Sequence, residues 1–221
     1  MYLPKHFRAD ERETRELLEG IRVADLITPT DAGLFATFLP LLYESPGDSP
    51  GGGPGDSSGG AELGSLLGHV ARKNDHWRLQ PNGESLVIVH GPDAYISPGW
   101  YASKREHGRV VPTWNYLTAH IHGELLVHDD PRWLEALVRR LTSRHEAAQP
   151  QPWSVDDAPR DYVDAQLKAI VGLELRITRV QAKAKLGQNR PTADIDGTIA
   201  GLRAGGDQEL AAATDRSRRD L

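Results

Sequence analysis

The first half of the chain contains several short strand-like runs that are joined by turns instead of helices. Residues 24–28 and 34–43 are apolar runs separated by turn-forming residues, which predicts a β-hairpin. Three further short runs follow at residues 63–71, 85–90 and 94–97. Strands without a helix after each one argue against a doubly wound sheet and predict a mainly β fold, a small barrel with peripheral helices.

Two later segments complete the predicted sheet. Residues 119–127 alternate apolar and polar side chains, the period expected of a strand with one buried face. Residues 173–178 show the same alternation and predict the final strand that closes the barrel. Gly91 and Pro92 predict a break between the two short runs that flank them.

Helices are predicted outside the sheet. Asp10 and Glu13 form a capping-box pattern at the start of an N-terminal helix. Asp130 precedes a second helix at residues 131–147, which carries a stripe of apolar side chains. A third helix is predicted at residues 160–170.

The chain of 221 residues is long enough for one domain with a sizeable core. We expect this domain to span residues 1–204. Residues 45–61 are almost entirely Gly, Pro, Ser and Asp, which predicts a flexible loop inserted in the barrel. Residues 205–221 mix charged residues with Ala and show no periodicity, which predicts a disordered tail.

Composition excludes several classes of protein. The chain has 0 cysteines, so it has no disulfides, thiolate nucleophiles or Cys-ligated metals. No apolar run reaches the roughly 18 residues of a membrane span, and no signal-peptide pattern follows Met1, so we expect a cytoplasmic protein that is not inserted in a membrane. The net charge of -5 does not favour direct binding of DNA.

Two clusters of side chains are candidates for ligand binding. His69, Arg72, Lys73 and Asn74 lie close together at a predicted strand end and suit an anion, although a solvated basic turn has the same composition. The second cluster is aromatic and suits a planar ligand, although a barrel core or a subunit interface is equally compatible with it. Its members are Tyr95, Trp100, Tyr101, Trp114 and Tyr116.

Other chemistries have weaker support in the sequence. His120 and His122 face the same side of a predicted strand, but no third metal ligand is placed by spacing, so we predict no metal site. The Gly-x-Ser-x-Gly elbow of serine hydrolases is absent. Lys183, Lys185 and Arg190 could contact phosphate or DNA, although a charged strand end explains them too.

A set of ordered segments resembles the FMN-binding negative transcriptional regulator family, often called PaiB-like. The segments that carry the resemblance are residues 1–7, 68–74 with Trp77, 90–98, Trp100, Tyr101, Lys104, 110–116, 152–154, 170–172 and 185–191. The resemblance implies a split β-barrel like that of pyridoxamine-phosphate oxidase, with FMN bound near the subunit interface of a homodimer. It also implies a repressive role in sporulation and protease synthesis.

The chain departs from the family pattern at two positions. The family usually has Ser where this chain has Gly187, and an aromatic residue where it has Ala184. If those groups contact the flavin, FMN binding is weaker in this chain.

The resemblance also implies roles for individual residues. Arg72 and Lys104 are expected at the phosphate of FMN, with His69 and Asn74 supporting the strand end. Thr113, Trp114 and Asn115 are expected to lie near the isoalloxazine. Lys185, Gln188 and Asn189 are expected to contact FMN or to brace the subunit interface.

Two functions follow from these expectations. The first is a flavin-binding regulator that acts through redox change, ligand binding or partner binding. The second is a flavin-dependent oxidoreductase, similar to a flavin reductase or oxidase, that acts on a small molecule. The sequence identifies no catalytic residue for the second function.

Overall fold

Six strands form a closed antiparallel barrel in the computed structural model, which describes residues 1–46 and 63–219. The order around the barrel is β1-β2-β3-β6-β5-β4. The strands are β1 Val23–Thr30, β2 Gly33–Glu44, β3 Ser65–Ala71, β4 Ser85–Ile96, β5 Thr113–His128 and β6 Ile170–Lys185. The predicted mainly β class and barrel architecture are therefore confirmed.

Six α-helices accompany the strands in the described residues, together with four short 3-10 helices. The α-helices are α1 Glu11–Glu19, α2 Ala102–Glu106, α3 Pro131–Glu146, α4 Arg160–Lys168, α5 Thr192–Gly205 and α6 Gln208–Arg219. The 3-10 helices are Lys5–Phe7, Asp75–Arg78, Pro98–Trp100 and Val155–Asp157.

Local sequence patterns place the first elements correctly. The capping box before α1 is present, because Asp10 Oδ1 accepts from Glu13 N at 2.7 Å and Glu13 Oε2 accepts from Asp10 N at 3.0 Å. The β1–β2 hairpin is also confirmed, with Thr30 paired to Gly33 across the turn. Gly33 has a φ of 113°, a conformation that favours glycine.

Strand β4 runs without interruption where the sequence predicted a break at Gly91 and Pro92. A Cβ at position 91 would lie 2.9 Å from Cβ of Leu117, so the glycine allows a close approach to β5. The Gly-Pro pair therefore marks a point of close strand packing, and the predicted break is wrong.

The prediction of a disordered tail at residues 205–221 is wrong for Gln208–Arg219, which form α6. Leu210, Ala211 and Thr214 are buried, and α6 packs against α5. These side chains are mostly small, so they give little apolar periodicity although they bury well against a neighbouring helix.

The chain divides into two compact units by its contacts, whereas the sequence predicted one domain at residues 1–204. The first unit comprises Met1–Leu17, His90–Ala119 and Gln181–Leu221, and the second comprises Leu18–Val89 and His120–Val180. Most of the predicted loop at residues 45–61 lies outside the described residues, which resume at Leu63.

In the second unit, α3 packs on the outside of the sheet. Its Leu137 and Leu141 form a buried cluster with Leu42 of β2 and Leu67 of β3, and Trp133 packs against the cluster. Asp130 caps the helix as predicted, accepting from the amides of Arg132 and Trp133. No helix in the described part of the chain is long and apolar enough to cross a membrane.

Candidate functional site

Three cationic side chains gather in the first unit at the end of β6 and the turn after it. Lys185 Nζ donates to Thr113 Oγ1 at 2.5 Å and to the Trp114 carbonyl oxygen at 2.6 Å. Lys183, which is 8% exposed, donates to the carbonyl oxygen of Tyr2 at 3.2 Å. Among the described residues, neither lysine nor Arg190 forms a salt bridge with a carboxylate. Their positive charge is therefore available to an anionic ligand.

Aromatic rings lie against each of these cations. Lys183 Nζ is 5.3 Å and Lys185 Nζ is 5.7 Å from the ring centroid of Tyr116. The Arg190 guanidinium carbon lies 4.1 Å from the ring centroid of Tyr101. Cation–π contacts of this kind hold a charge in place without neutralising it. We call these five residues, with Tyr2, the cation–aromatic cluster.

Two further rings offer an exposed aromatic surface in the same unit. Tyr95 and Trp114 pack edge to face with their centroids 6.3 Å apart. They are 49% and 54% exposed, which is high for aromatic side chains. Because Lys185 bonds to the backbone of Trp114, this surface adjoins the cation–aromatic cluster.

The turn after β6 is braced by its own side chains. Gln188 Nε2 donates to the Ala184 carbonyl oxygen at 2.6 Å, and Gln188 Oε1 accepts from Leu186 N at 2.9 Å. Gly187 has a φ of 84°, a backbone conformation that favours glycine over Ser. Ala184 is fully buried, so a side chain at this position faces the interior of the protein.

Burial and mutual repulsion affect protonation in the cluster. The pKa of Lys185 lies below its ordinary value, because burial disfavours the ammonium form and because Lys183 and Arg190 are close. Burial raises the pKa of Tyr101, and Arg190 opposes this shift. An anion bound next to Lys185 would favour the ammonium form and so raise the pKa of Lys185 again.

Helix α5 positions the segment that precedes the cluster. Gly197 and Gly201 lie directly against Trp100, where any side chain would overlap its carbonyl oxygen or its indole. Asp194, which is 1% exposed, accepts from Ser103 N at 2.9 Å. These contacts hold the start of α2, on which Lys104 is exposed.

The ten sequence-predicted site residues fall in both units. Seven lie in the first unit, and their side chains differ in environment. Thr113, Trp114 and Lys185 meet, Gln188 braces the turn, Asn115 is buried beneath Gly187, and Lys104 and Asn189 are exposed.

The other three predicted residues lie in the second unit. Arg72 bonds to both carboxylate oxygens of Asp129, at 3.0 and 2.5 Å, and to the carbonyl oxygens of Lys168 and Ile170. The Asp129 carboxylate raises the pKa of Arg72 further. Arg72 thus links three segments of the chain. A phosphate bound there would have to share the guanidinium N–H groups with Asp129 and the two carbonyl oxygens.

The remaining two have contrasting surroundings. Asn74 accepts from His76 N at 2.9 Å and so caps the 3-10 helix Asp75–Arg78. His69 Nδ1 is buried and has no hydrogen-bond partner in the described residues, and burial lowers the pKa of the ring. An unsatisfied buried nitrogen is uncommon, which keeps His69 a candidate for ligand contact.

The sequence named Lys183 and Arg190 only as residues that could contact phosphate or DNA, and it gave Tyr2 no role in the site. Lys183 and Lys185 are two positions apart on one strand, so a period of two places them on the same face and could have identified them together. The contact between Lys183 and Tyr2 joins residues that are 181 positions apart, and no local pattern predicts it.

The donors of the first unit fit FMN. Two ammonium groups and a guanidinium match a phosphate dianion, and exposed aromatic faces match a planar ring. Within residues 1–46 and 63–219, no group of three His, Asp or Glu side chains is arranged to hold a metal ion.

The six-stranded antiparallel barrel with peripheral helices defines a split-barrel protein. The chain belongs to the family described as "Putative FMN-binding domain", whose model matches residues 1–179. FMN is therefore the cofactor that family membership assigns to this chain.

Relatives occur in bacteria and fungi. Protease synthase and sporulation protein PAI 2 of Bacillus subtilis is 29% identical over 201 residues, covering 90% of this chain and 87% of the relative. A protein of Emericella nidulans is 32% identical over 164 residues, covering 62% of this chain but only 65% of its own length.

Solved structures support the fold. The flavocytochrome Anf3 of Azotobacter vinelandii superimposes with a TM-score of 0.53 at 12% identity, covering 81% of this chain and 69% of that chain. The conserved protein Rv2991 of Mycobacterium tuberculosis gives a TM-score of 0.53 at 12% identity, covering 86% and 94%.

Proposed function

We propose that this chain is an FMN-binding regulatory protein that holds its cofactor at the cation–aromatic cluster of the first unit. The observation that carries this proposal is the set Lys183, Lys185 and Arg190, which has no salt-bridge partner among the described residues. Buried or half-buried cations without carboxylates are costly unless a ligand supplies the negative charge.

The residues of the cluster have different roles in binding FMN. Arg190 and the two lysines attract and hold the phosphate, and the Tyr101 and Tyr116 rings keep these cations in place. Thr113 orients the Lys185 ammonium group through its hydroxyl. The exposed ring of Trp114 is the surface on which a planar ring packs. When bound, FMN supplies one- and two-electron redox chemistry.

The regulatory part of the proposal rests on the relative from Bacillus subtilis, whose name refers to protease synthesis and sporulation. We include in the proposal a homodimer and a cytoplasmic location, where a regulator meets its targets. The acidic balance of the chain favours action through a ligand or a protein partner over direct contact with DNA.

The second candidate is a flavin-dependent oxidoreductase acting on a small molecule. The exposed Tyr95–Trp114 surface favours it, because a substrate could reach a ring packed there from solvent. Within the part of the chain that the structure describes, Trp114 forms no side-chain hydrogen bond or ring contact with a carboxylate or a histidine, so proton transfer would rely on solvent or on Lys185.

FMN titration followed by flavin fluorescence tests the binding site. Replacing Lys185 and Arg190 by Met should weaken FMN binding by about 10- to 100-fold each, since each removes one charge-assisted bond. Lys168→Met, an exposed position on α4, is the matched control and should leave affinity unchanged. Unchanged affinity in both cluster variants would contradict the assignment, and loss in Arg72→Met instead would move the phosphate to the second unit.

Experiments on the FMN-bound protein distinguish the two candidate functions. Anaerobic bleaching of its yellow colour by NADH or NADPH at a catalytic rate indicates the oxidoreductase. A salt-resistant shift of specific promoter DNA, or a specific protein partner captured only in the FMN-bound form, indicates the regulator.

A further inference from the structure

A cavity of about 360 Å³ lies in the second unit, between the start of α3 and the end of α4. Its apolar floor is formed by Pro131 and by the side chains of Leu134 and Leu167, which are otherwise buried. Cavities that bind small molecules begin at about 300 Å³. The cavity is therefore large enough for a small ligand that carries an apolar group.

Four charged side chains line the same cavity, and their charges sum to zero. Arg72 and Lys168 are the cations, and Asp129 and Asp164 are the carboxylates. This lining does not suit a phosphate dianion, because the two carboxylates would repel it. It suits a small ligand that has one positive and one negative group of its own.

Arg72 retains a donor for the negative group of such a ligand. A guanidinium has five N–H groups, and four of those of Arg72 donate to Asp129 and to the carbonyl oxygens of Lys168 and Ile170. The remaining N–H, on Nη1, has no acceptor within residues 1–46 and 63–219. A ligand carboxylate would accept a charge-assisted hydrogen bond from it.

Asp164 offers an acceptor for the positive group. Its Oδ1 lies 2.6 Å from Nη2 of Arg160, in an ion pair along α4. Its Oδ2 accepts no hydrogen bond from any residue that the structure describes. The side chain is 45% exposed, so an ammonium group of a ligand can reach this oxygen without rearrangement of the helix.

The ends of the two helices favour the same orientation. Helix α3 begins at Pro131, and the start of a helix carries a partial positive charge. Helix α4 ends at Lys168, and the end of a helix carries a partial negative charge. A carboxylate is therefore favoured on the α3 side of the cavity and an ammonium group on the α4 side.

We propose that this cavity binds a free α-amino acid with an apolar side chain. Its carboxylate bonds to Arg72, its ammonium group bonds to Asp164, and its side chain packs on the apolar floor. The inference goes beyond the proposed function, because it requires neither FMN nor a second copy of the chain.

Isothermal titration calorimetry of the full chain, with and without FMN, tests the proposal. L-leucine and L-phenylalanine should bind with a dissociation constant below about 1 mM. Glycine lacks the apolar side chain and should bind at least about 10-fold more weakly. N-acetyl-L-leucine and L-leucinamide each lack one of the two charges, and each should also bind at least about 10-fold more weakly than L-leucine.

A pair of variants on α4 locates the binding site. Asp164→Asn should weaken the binding of L-leucine by about 10-fold or more, because it removes the charge that faces the ammonium group. Asp161→Asn, at an exposed position three residues earlier that does not line the cavity, is the matched control and should bind like the wild type. Both variants should keep their affinity for FMN, whose proposed site lies in the first unit.

Each outcome bears on one proposal. If no apolar amino acid binds saturably, the amino-acid site is wrong. Equal affinity of the wild type and Asp164→Asn for L-leucine overturns it as well, as does equal affinity of the wild type for L-leucine and for either analogue. The analogues need no variant, so they decide the question even if Asp164→Asn does not fold. A chain that binds L-leucine but not FMN contradicts only the cofactor site.

Discussion

Gly201 lies so close to Trp100 that a Cβ at this position would overlap the indole ring. Gly201→Ala should therefore force the Pro98–Trp100 turn away from α5 and destabilise the protein by about 1–3 kcal/mol, as over-packing does elsewhere. The urea midpoint measures this change. Gly205→Ala is the matched control in the same helix, where the nearest atom to the new methyl is the Asp207 side chain at 3.5 Å. It should be neutral or slightly stabilising.

Stability should depend on the protonation of His76 between pH 6.5 and 4. The ring is 1% exposed, with Nε2 2.8 Å from Thr28 Oγ1 and Nδ1 2.8 Å from Thr37 Oγ1. Burial lowers the pKa of His76 to about 4. The unfolded chain therefore takes up the proton first, and stability falls as the pH drops from about 6.5 to about 4, by on the order of 2–3 kcal/mol.

His76→Phe removes the titrating group. The variant should be less stable at pH 7.5, because it leaves the buried Thr28 hydroxyl and the half-buried Thr37 hydroxyl without this partner. Its urea midpoint should nevertheless change less than that of the wild type between pH 7.5 and 5. An equal change in both proteins would contradict the role assigned to His76.

Glu135 joins two helices through paired arginines. Its carboxylate accepts from Arg139 at 2.9 Å and from Arg160 at 2.7 and 3.0 Å, and these bonds lower the pKa of Glu135 to about 2. Because the pKa is lowered on folding, the stabilisation is present above about pH 4.5 and is lost as the pH falls towards 2. Thermal melting of Glu135→Gln should occur at a lower temperature than in the wild type at pH 7.

The salt dependence of the melting temperature and a control variant show whether the effect of Glu135→Gln is electrostatic. The difference between the wild type and Glu135→Gln should shrink at 1 M NaCl, because exposed ion pairs are screened. Glu124→Gln, an exposed position on β5, should melt like the wild type. A melting difference that is independent of salt would indicate packing instead of charge.

FMN affinity should fall at alkaline pH sooner than an ordinary lysine would require. The pKa of Lys185 is lowered by burial and by neighbouring cations, so in the free protein its ammonium form is lost below the usual 10.5. Lys185→Arg keeps the charge throughout this range and should flatten the pH dependence of the FMN dissociation constant measured from pH 7 to 10. Identical profiles for both proteins would exclude Lys185 from the phosphate.

Much of the fold was predictable because its signals are local. The Asp10–Glu13 capping box, the hairpin turn at Gly33 and the Asp130 cap each depend on residues within a few positions of one another. Helix α6 was not predicted because its burial depends on packing of small side chains against α5, which becomes visible only in three dimensions.

The candidate site was likewise predictable only in part. The sequence pointed to Thr113, Trp114 and Lys185, which do meet, through the family resemblance. It could not show that Arg72 is already bonded to Asp129, since the two residues lie 57 positions apart. Burial and partner choice therefore decide which of several basic residues remain available to a ligand.

The contact between Trp100 and α5 also determines which fragments of the chain are suitable for experiments. The family model ends at residue 179, whereas Gly197 and Gly201 lie beyond it. A fragment trimmed to the matched residues would lose the support beneath the Pro98–Trp100 turn and would lack Lys183, Lys185 and Arg190 as well. Failure of such a fragment to take up flavin would report on the trimming and not on the protein.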